Sequence, residues 1–172
     1  MRAGARRRWA GAAPRSHAAL RAAFQGAQHP MDTMDTKTIF LPALAMAVLT
    51  CVVWLRLFYV RIGQMKRDRI HPQSVATSAQ AVAKLTESRA ADNFRNLFEL
   101  PVLFYLALVV AALNGLADTA TLTLAWLFVA LRIAHSAIQC GYNKVMHRFY
   151  AYAAGGLALW LLWARIGVGL LT

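Results

Sequence analysis

Acidic residues are few in this chain: Asp and Glu together number 7 of 172 residues, against 19 Lys and Arg. No charged residue follows Arg165, and residues 1–30 hold six arginines and no acid. Cysteine is scarcer still. Cys51 and Cys140 stand alone, with no CxxC pair and no zinc-type spacing. That argues against a disulfide framework and leaves packing as the expected role of both thiols. No cluster of His, Cys, Asp and Glu has metal-ligand spacing, so no metal is expected. No nucleophile stands at a recognisable spacing from a base.

Apolar residues are abundant: 59% of the chain is hydrophobic and the mean hydropathy is +0.43. Such values fit a small polytopic membrane protein better than a soluble domain. Four apolar runs carry the signal, from Ile39 to Val60 (broken by Arg56), Leu97 to Leu113, Thr119 to Gln139, and Phe149 to Leu170. A spanning helix needs about 20 mostly apolar residues, which three runs meet directly. The second becomes long enough if its helix begins nearer Thr86. The expectation is an all-α, integral membrane four-helix bundle with spans about 39–60, 90–113, 119–139 and 149–170. Pro101 would kink the second span.

The formal charge of +12 invites a nucleic-acid partner, but its distribution argues against one. Arg61, Lys66, Arg67, Arg69, Lys84, Arg89 and Arg95 gather in the first loop, and Lys144, His147 and Arg148 in the third. The second loop, Asn114 to Asp118, has no base. The positive-inside rule places the first and third loops in the cytoplasm and both termini across the membrane. Residues 1–33 then form an Arg/Ala-rich extension, and residues 34–172 the membrane domain. The extension is expected to be disordered or a mis-assigned start ahead of Met31 or Met34. A transit peptide, or a segment holding the amino terminus inside, are the alternatives.

Polar residues inside the apolar runs are the candidate site. On a helix, Arg89, Asp92, Asn96 and Glu99 form one stripe at i, i+3, i+7 and i+10. Arg132, His135, Gln139 and Asn143 form another on the third span, with Ser136 beside them. Glu99 could pair with Arg132 of the same or a neighbouring subunit. Interhelical polar contacts in membranes contribute only roughly 1 kcal/mol each, and holding four helices together does not require this many groups. An intramembrane ionisable residue is a functional-site hypothesis by default. Guanidinium groups suit carboxylate or phosphate, whereas Asn96 and Glu99 suit an amine or amide. The set fits a zwitterionic, peptide-like ligand with several carboxylates, whose apolar partner arrives from the lipid. Elsewhere, Arg56 is expected to snorkel or serve the bundle, Arg61 to anchor a span end, and Arg165 to snorkel. Gly155 and Gly156 are expected at a close helix contact.

The motif Asn96-Leu-Phe-Glu99-Leu-Pro101, preceded by Arg95, resembles the Asn-x-x-Glu signature of the membrane-associated proteins in eicosanoid and glutathione metabolism (MAPEG). Arg132-Ile-Ala-His135-Ser, followed by a basic turn and Arg148, is similar to the third-helix region of the microsomal prostaglandin E synthase branch. The resemblance covers Met34 to Leu170 and is strongest to bacterial members, which implies a multi-pass protein of a bacterial inner membrane. It implies a homotrimer binding glutathione as cosubstrate between subunits near the cytoplasmic face. Asn96 and Glu99 would meet the glutathione backbone and amine, and Arg132 and Arg148 its carboxylates. His135 and Gln139 would line the same wall, Arg61 or Arg89 would add charge, and Arg148 would activate the thiol. Two positions depart from the family pattern. Asp92 stands where many members carry Arg, and Gln139 where several carry Tyr. The implied activity is a glutathione-dependent transferase or peroxidase acting on a lipophilic electrophile. A non-catalytic member that binds lipid or a partner protein is the alternative. A small multidrug exporter fits poorly, because its acidic first-span residue is missing and Arg56 stands in that span.

Overall fold

The computed structural model describes residues 36–172; the Arg/Ala-rich segment 1–33 lies outside the described residues. Among the described residues, four helical segments are long and apolar enough to cross a membrane, Lys37–Arg67, Arg89–Leu113, Thr119–Cys140 and Val145–Leu171. The chain is an all-α, multi-pass integral membrane protein, as the apolar runs predicted. Only 22–39% of each apolar window is buried inside the bundle. Much of the remaining surface is apolar, with Leu44, Val48, Val52, Leu106, Leu157 and Trp160 exposed. Such a surface suits lipid, not water.

A short 3-10 turn, Thr36–Phe40, leads into α1, Leu41–Arg67. Pro42 stands in the first turn of α1, where its missing N–H leaves no helical bond unmade. Helix α1 continues past its apolar run, so Arg61, Lys66 and Arg67 belong to its last turns and not to a loop. Gln64 explains part of this extension. It is buried, donates to Thr86 Oγ1 at 2.9 Å, and accepts from the backbone N–H of Glu87 at 3.3 Å. The last turns of α1 therefore hold the first loop in place. That loop contains a 3-10 turn, Pro72–Val75, and the short helix α2, Ser78–Lys84. Thr77 and Gln80 close a reciprocal capping box at the start of α2.

The second span is two helices, α3 (Arg89–Asn96) and α4 (Leu100–Leu113). The expected kink is thus a break at residues 97–99. Pro101 has no N–H for the Leu97 carbonyl and its ring crowds that turn. Glu99 stands at the break, with φ −97° and ψ −100°. Helix α5 (Thr119–Cys140) and helix α6 (Val145–Leu171) follow and make the most extensive helix pair. Their connection is tight. A Cβ on Gly141 would come within 2.8 Å of the Ala137 carbonyl, and Asn143 takes φ +51°, which asparagine tolerates better than most residues. Because α6 begins at Val145, His147 and Arg148 lie in its first turn and not in the loop. Gly155 is buried against α5, its Cβ direction meeting Leu131 and Arg132.

The core joins Met46 of α1, Phe104 and Leu108 of α4, Phe128 of α5, and Leu159, Leu162 and Ile166 of α6. Phe104 and Phe128 stack at 4.5 Å between ring centres. Cys51 is exposed on α1, so it does not pack as expected, while Cys140 is half-buried. Arg165 does not snorkel alone: it pairs with Asp118, whose other oxygen caps α5 by accepting from the Thr121 N–H at 2.8 Å.

Candidate functional site

Helix α3 lays its polar stripe on the C-terminal half of α5. Asn93 is fully buried there, accepting from the Ser136 hydroxyl at 3.2 Å and donating to Cys140 Sγ at 3.4 Å. One turn on, Asn96 donates to Gln139 Oε1 at 3.0 Å and faces His135 Nε2 at 3.5 Å. His135 Nδ1 faces the Arg148 carbonyl at 3.1 Å. A carbonyl only accepts, so Nδ1 donates to it, and Nε2 stands within reach of the Asn96 amide. These links orient the imidazole, the amides and the first turn of α6 relative to one another.

Arg132 occupies the floor of this layer and is completely buried. Its Nη2 donates to the Asn96 carbonyl, which the break after α3 releases from the helical ladder. The guanidinium also lies 5.2 Å from the Tyr152 ring centre and 5.9 Å from that of Phe128. Its Nε and Nη1 have no hydrogen-bond partner among the described residues. The expected Glu99–Arg132 ion pair does not form within this chain. The break turns Glu99 outward, where its carboxylate accepts from the Tyr152 hydroxyl at 3.4 Å.

Above this floor opens a cavity of about 410 Å³, lined by Asn96, Glu99, His135, Gln139 and Arg148, with Asp92, Phe149 and Tyr152. Five of the seven expected site residues therefore meet in one place. Arg132 stands behind the wall rather than in it. Arg89 is elsewhere: it donates to the Gly141 carbonyl at the end of α5 at 2.9 Å and pairs with Glu87 at 2.9 Å. It lines a separate cavity, drawn there by its bonds to Gly141 and Glu87 although it shares one unbroken helix with Asp92 and Asn96. Arg61 borders a third hollow, between α1, α2 and α3, and not this cavity, although Asp92 lines both. Arg148 donates one Nη1 bond to Asn143 Oδ1 at 3.0 Å, leaving further donors of its fork for a ligand.

Tyr152 and Asn93 escaped the sequence reading. Both had a signal available: Tyr152 follows Arg148 by one helical turn, and Asn93 precedes Asn96 by three residues. The cavity pairs one guanidinium with two carboxylates, a phenol, two amides and an imidazole, and Phe149 forms an exposed apolar rim. It can bind a ligand that carries both an amine and carboxylates, beside an apolar partner.

A model of the MAPEG family matches residues 39–168, which include every helix that builds this cavity. The chain belongs to the MAPEG family. No curated protein and no solved structure gives a match. Within the MAPEG domain, the Asn96 and Glu99 pair lies at the end of the bundle that carries the first and third loops, facing α5 and α6. Asp92 and Gln139, the two departures from the family pattern, both line the same cavity.

Proposed function

We propose that this cavity binds glutathione and that the protein, a homotrimer, uses it to conjugate or reduce a lipophilic electrophile delivered from the bilayer. The observation that carries the proposal is the meeting of Asn96 and Glu99 with His135, Gln139 and Arg148 in one cavity. Glu99 would take the ligand's amine and Arg148 a carboxylate or the sulfur. A thiol reacts as its thiolate, and a nearby guanidinium stabilises that form. Arg148, with donors still free, would lower the thiol's pKa, while Tyr152 and Asn96 would orient the peptide. Arg132 would act from behind the wall, holding the Asn96 carbonyl. The basic first loop and the first turn of α6 support placing this end of the bundle in the cytoplasm.

A second reading, a non-catalytic member that binds lipid or a partner protein, is favoured by Asp92. Its carboxylate lines the cavity where many family members place an arginine, and a second negative charge opposes thiolate formation. Ultraviolet difference absorbance on adding glutathione to the purified protein separates the readings. The enzyme reading expects a thiolate band that Arg148→Ala abolishes. Glutathione binding without the band supports the second reading, and neither binding nor band in the wild type overturns the first.

A further inference from the structure

We propose that a second cavity, on the α1 side of the bundle, holds the phosphate of an anionic phospholipid, with an acyl chain in the groove between α1 and α5. This cavity, about 380 Å³, is lined by Arg56, Tyr59, Gly63, Arg67, Glu87 and Arg89 among others. Arg56 donates to the Cys140 carbonyl at 2.6 Å, and Arg89 to the next carbonyl, Gly141, at 2.9 Å. The C-terminus of α5 therefore draws two guanidiniums side by side. Arg67 adds a third, paired at 3.1 Å with Asp68, and Glu87 pairs with Arg89. Arg56 has no carboxylate partner among the described residues. An anion seated between Arg56 and Arg89 would relieve their mutual repulsion and take the unused donors of both forks.

The surroundings select a lipid as the source of that anion. On α1, Val52 precedes Arg56 by one turn, and below it an apolar groove of about 560 Å³ runs along Leu44, Val48 and Val52 against Trp126 and Ile133 of α5. Ile133 and Cys140 are two turns apart on one face of α5. The groove thus leads along both helices towards the guanidiniums. Trp54, Phe58 and Tyr59 are all exposed near the level of Arg56, as expected where headgroups begin. A phosphate on a diacyl chain matches both halves, whereas a soluble phosphate matches only one.

Native mass spectrometry of the full chain can test this, with phosphatidylglycerol, phosphatidylcholine of the same acyl chains, and glycerol phosphate as ligands. The wild type is expected to retain phosphatidylglycerol about tenfold better than phosphatidylcholine, the scale of one or two basic contacts at a membrane surface. Arg56→Gln should bring the two lipids level. Gly63→Leu, which removes no charge and projects into space open around Gly63, should reduce phosphatidylglycerol retention in a folded protein. Arg148→Ala should leave lipid retention unchanged, separating this site from the glutathione cavity. Equal retention of both lipids by the wild type overturns the proposal, as does indifference to both Arg56→Gln and Gly63→Leu. Glycerol phosphate binding as tightly as the lipid, or cross-links placing a second copy of the chain in the groove, would also overturn it.

Discussion

The two ends of the bundle handle charge in opposite ways. At the end bearing the first and third loops, Asn93, Arg132, His135, Ser136 and Gln139 are all buried. Arg132, the charged group among them, is held by a backbone carbonyl and two aromatic faces instead of a carboxylate. At the other end, Asp118 and Arg165 neutralise each other with side chains 40% and 36% exposed. The far end is a clasp that closes α5 onto α6. The near end keeps Arg132 donors without a hydrogen-bond partner among the described residues, an arrangement costly for stability.

The largest test of this contrast is Arg132→Ala. It should lower stability by about 3 kcal/mol, because it orphans the Asn96 carbonyl and leaves a void under Tyr152. Arg132→Met, which refills the volume, should lose much less in denaturation of the detergent-solubilised protein and still impair glutathione binding. Equal losses from the two variants would mean that the charge itself holds the bundle. Next in size, Asn93→Ala should cost roughly 2 kcal/mol by stranding the buried Ser136 hydroxyl, measured in the same denaturation series.

At the opposite end, Asp118→Ala removes the cap of α5 and should cost about 1 kcal/mol. The smallest expected effect is its pH dependence. Partial burial raises the Asp118 carboxyl, but the Thr121 N–H and the Arg165 guanidinium outweigh this and hold it below its ordinary 3.8. A depressed folded value means stability that is fully present above the unfolded pKa and fades as pH falls through the folded one. The stability gap between wild type and Asp118→Asn should therefore be flat above about pH 5 and shrink below 3.8. On that plateau its size should be about 0.5 kcal/mol, as expected for a partly exposed pair. A gap that widens on acidification would contradict the clasp.

Much of the fold was legible along the chain. Hydropathy sums over a single helix, so the four spans emerged from local runs, with errors where polar residues extend a helix, at Arg61 to Arg67 and Val145 to Arg148. The site was legible in part. Asn96, Glu99, His135 and Gln139, singled out because polarity in an apolar run is a local signal too, line one cavity with Arg148, which the family resemblance suggested. Gln64 was missed because its partners, Thr86 and Glu87, lie beyond a loop. Arg165 was misread for the same reason, its carboxylate being 47 residues away.

By itself, the order of residues determined that this is a four-span, all-helical membrane protein with polar stripes on its second and third spans, since length, hydropathy and the 3.6-residue period act within one helix. Tertiary structure alone decided which way those stripes face. The break before Pro101 separates Glu99 from Arg132 and hands it to Tyr152, while packing against α1 and the end of α5 takes Arg89 out of the cavity and sets it beside Arg56. Partner choice depends on how helices rotate and cross in three dimensions, and no sum along a single helix contains that information.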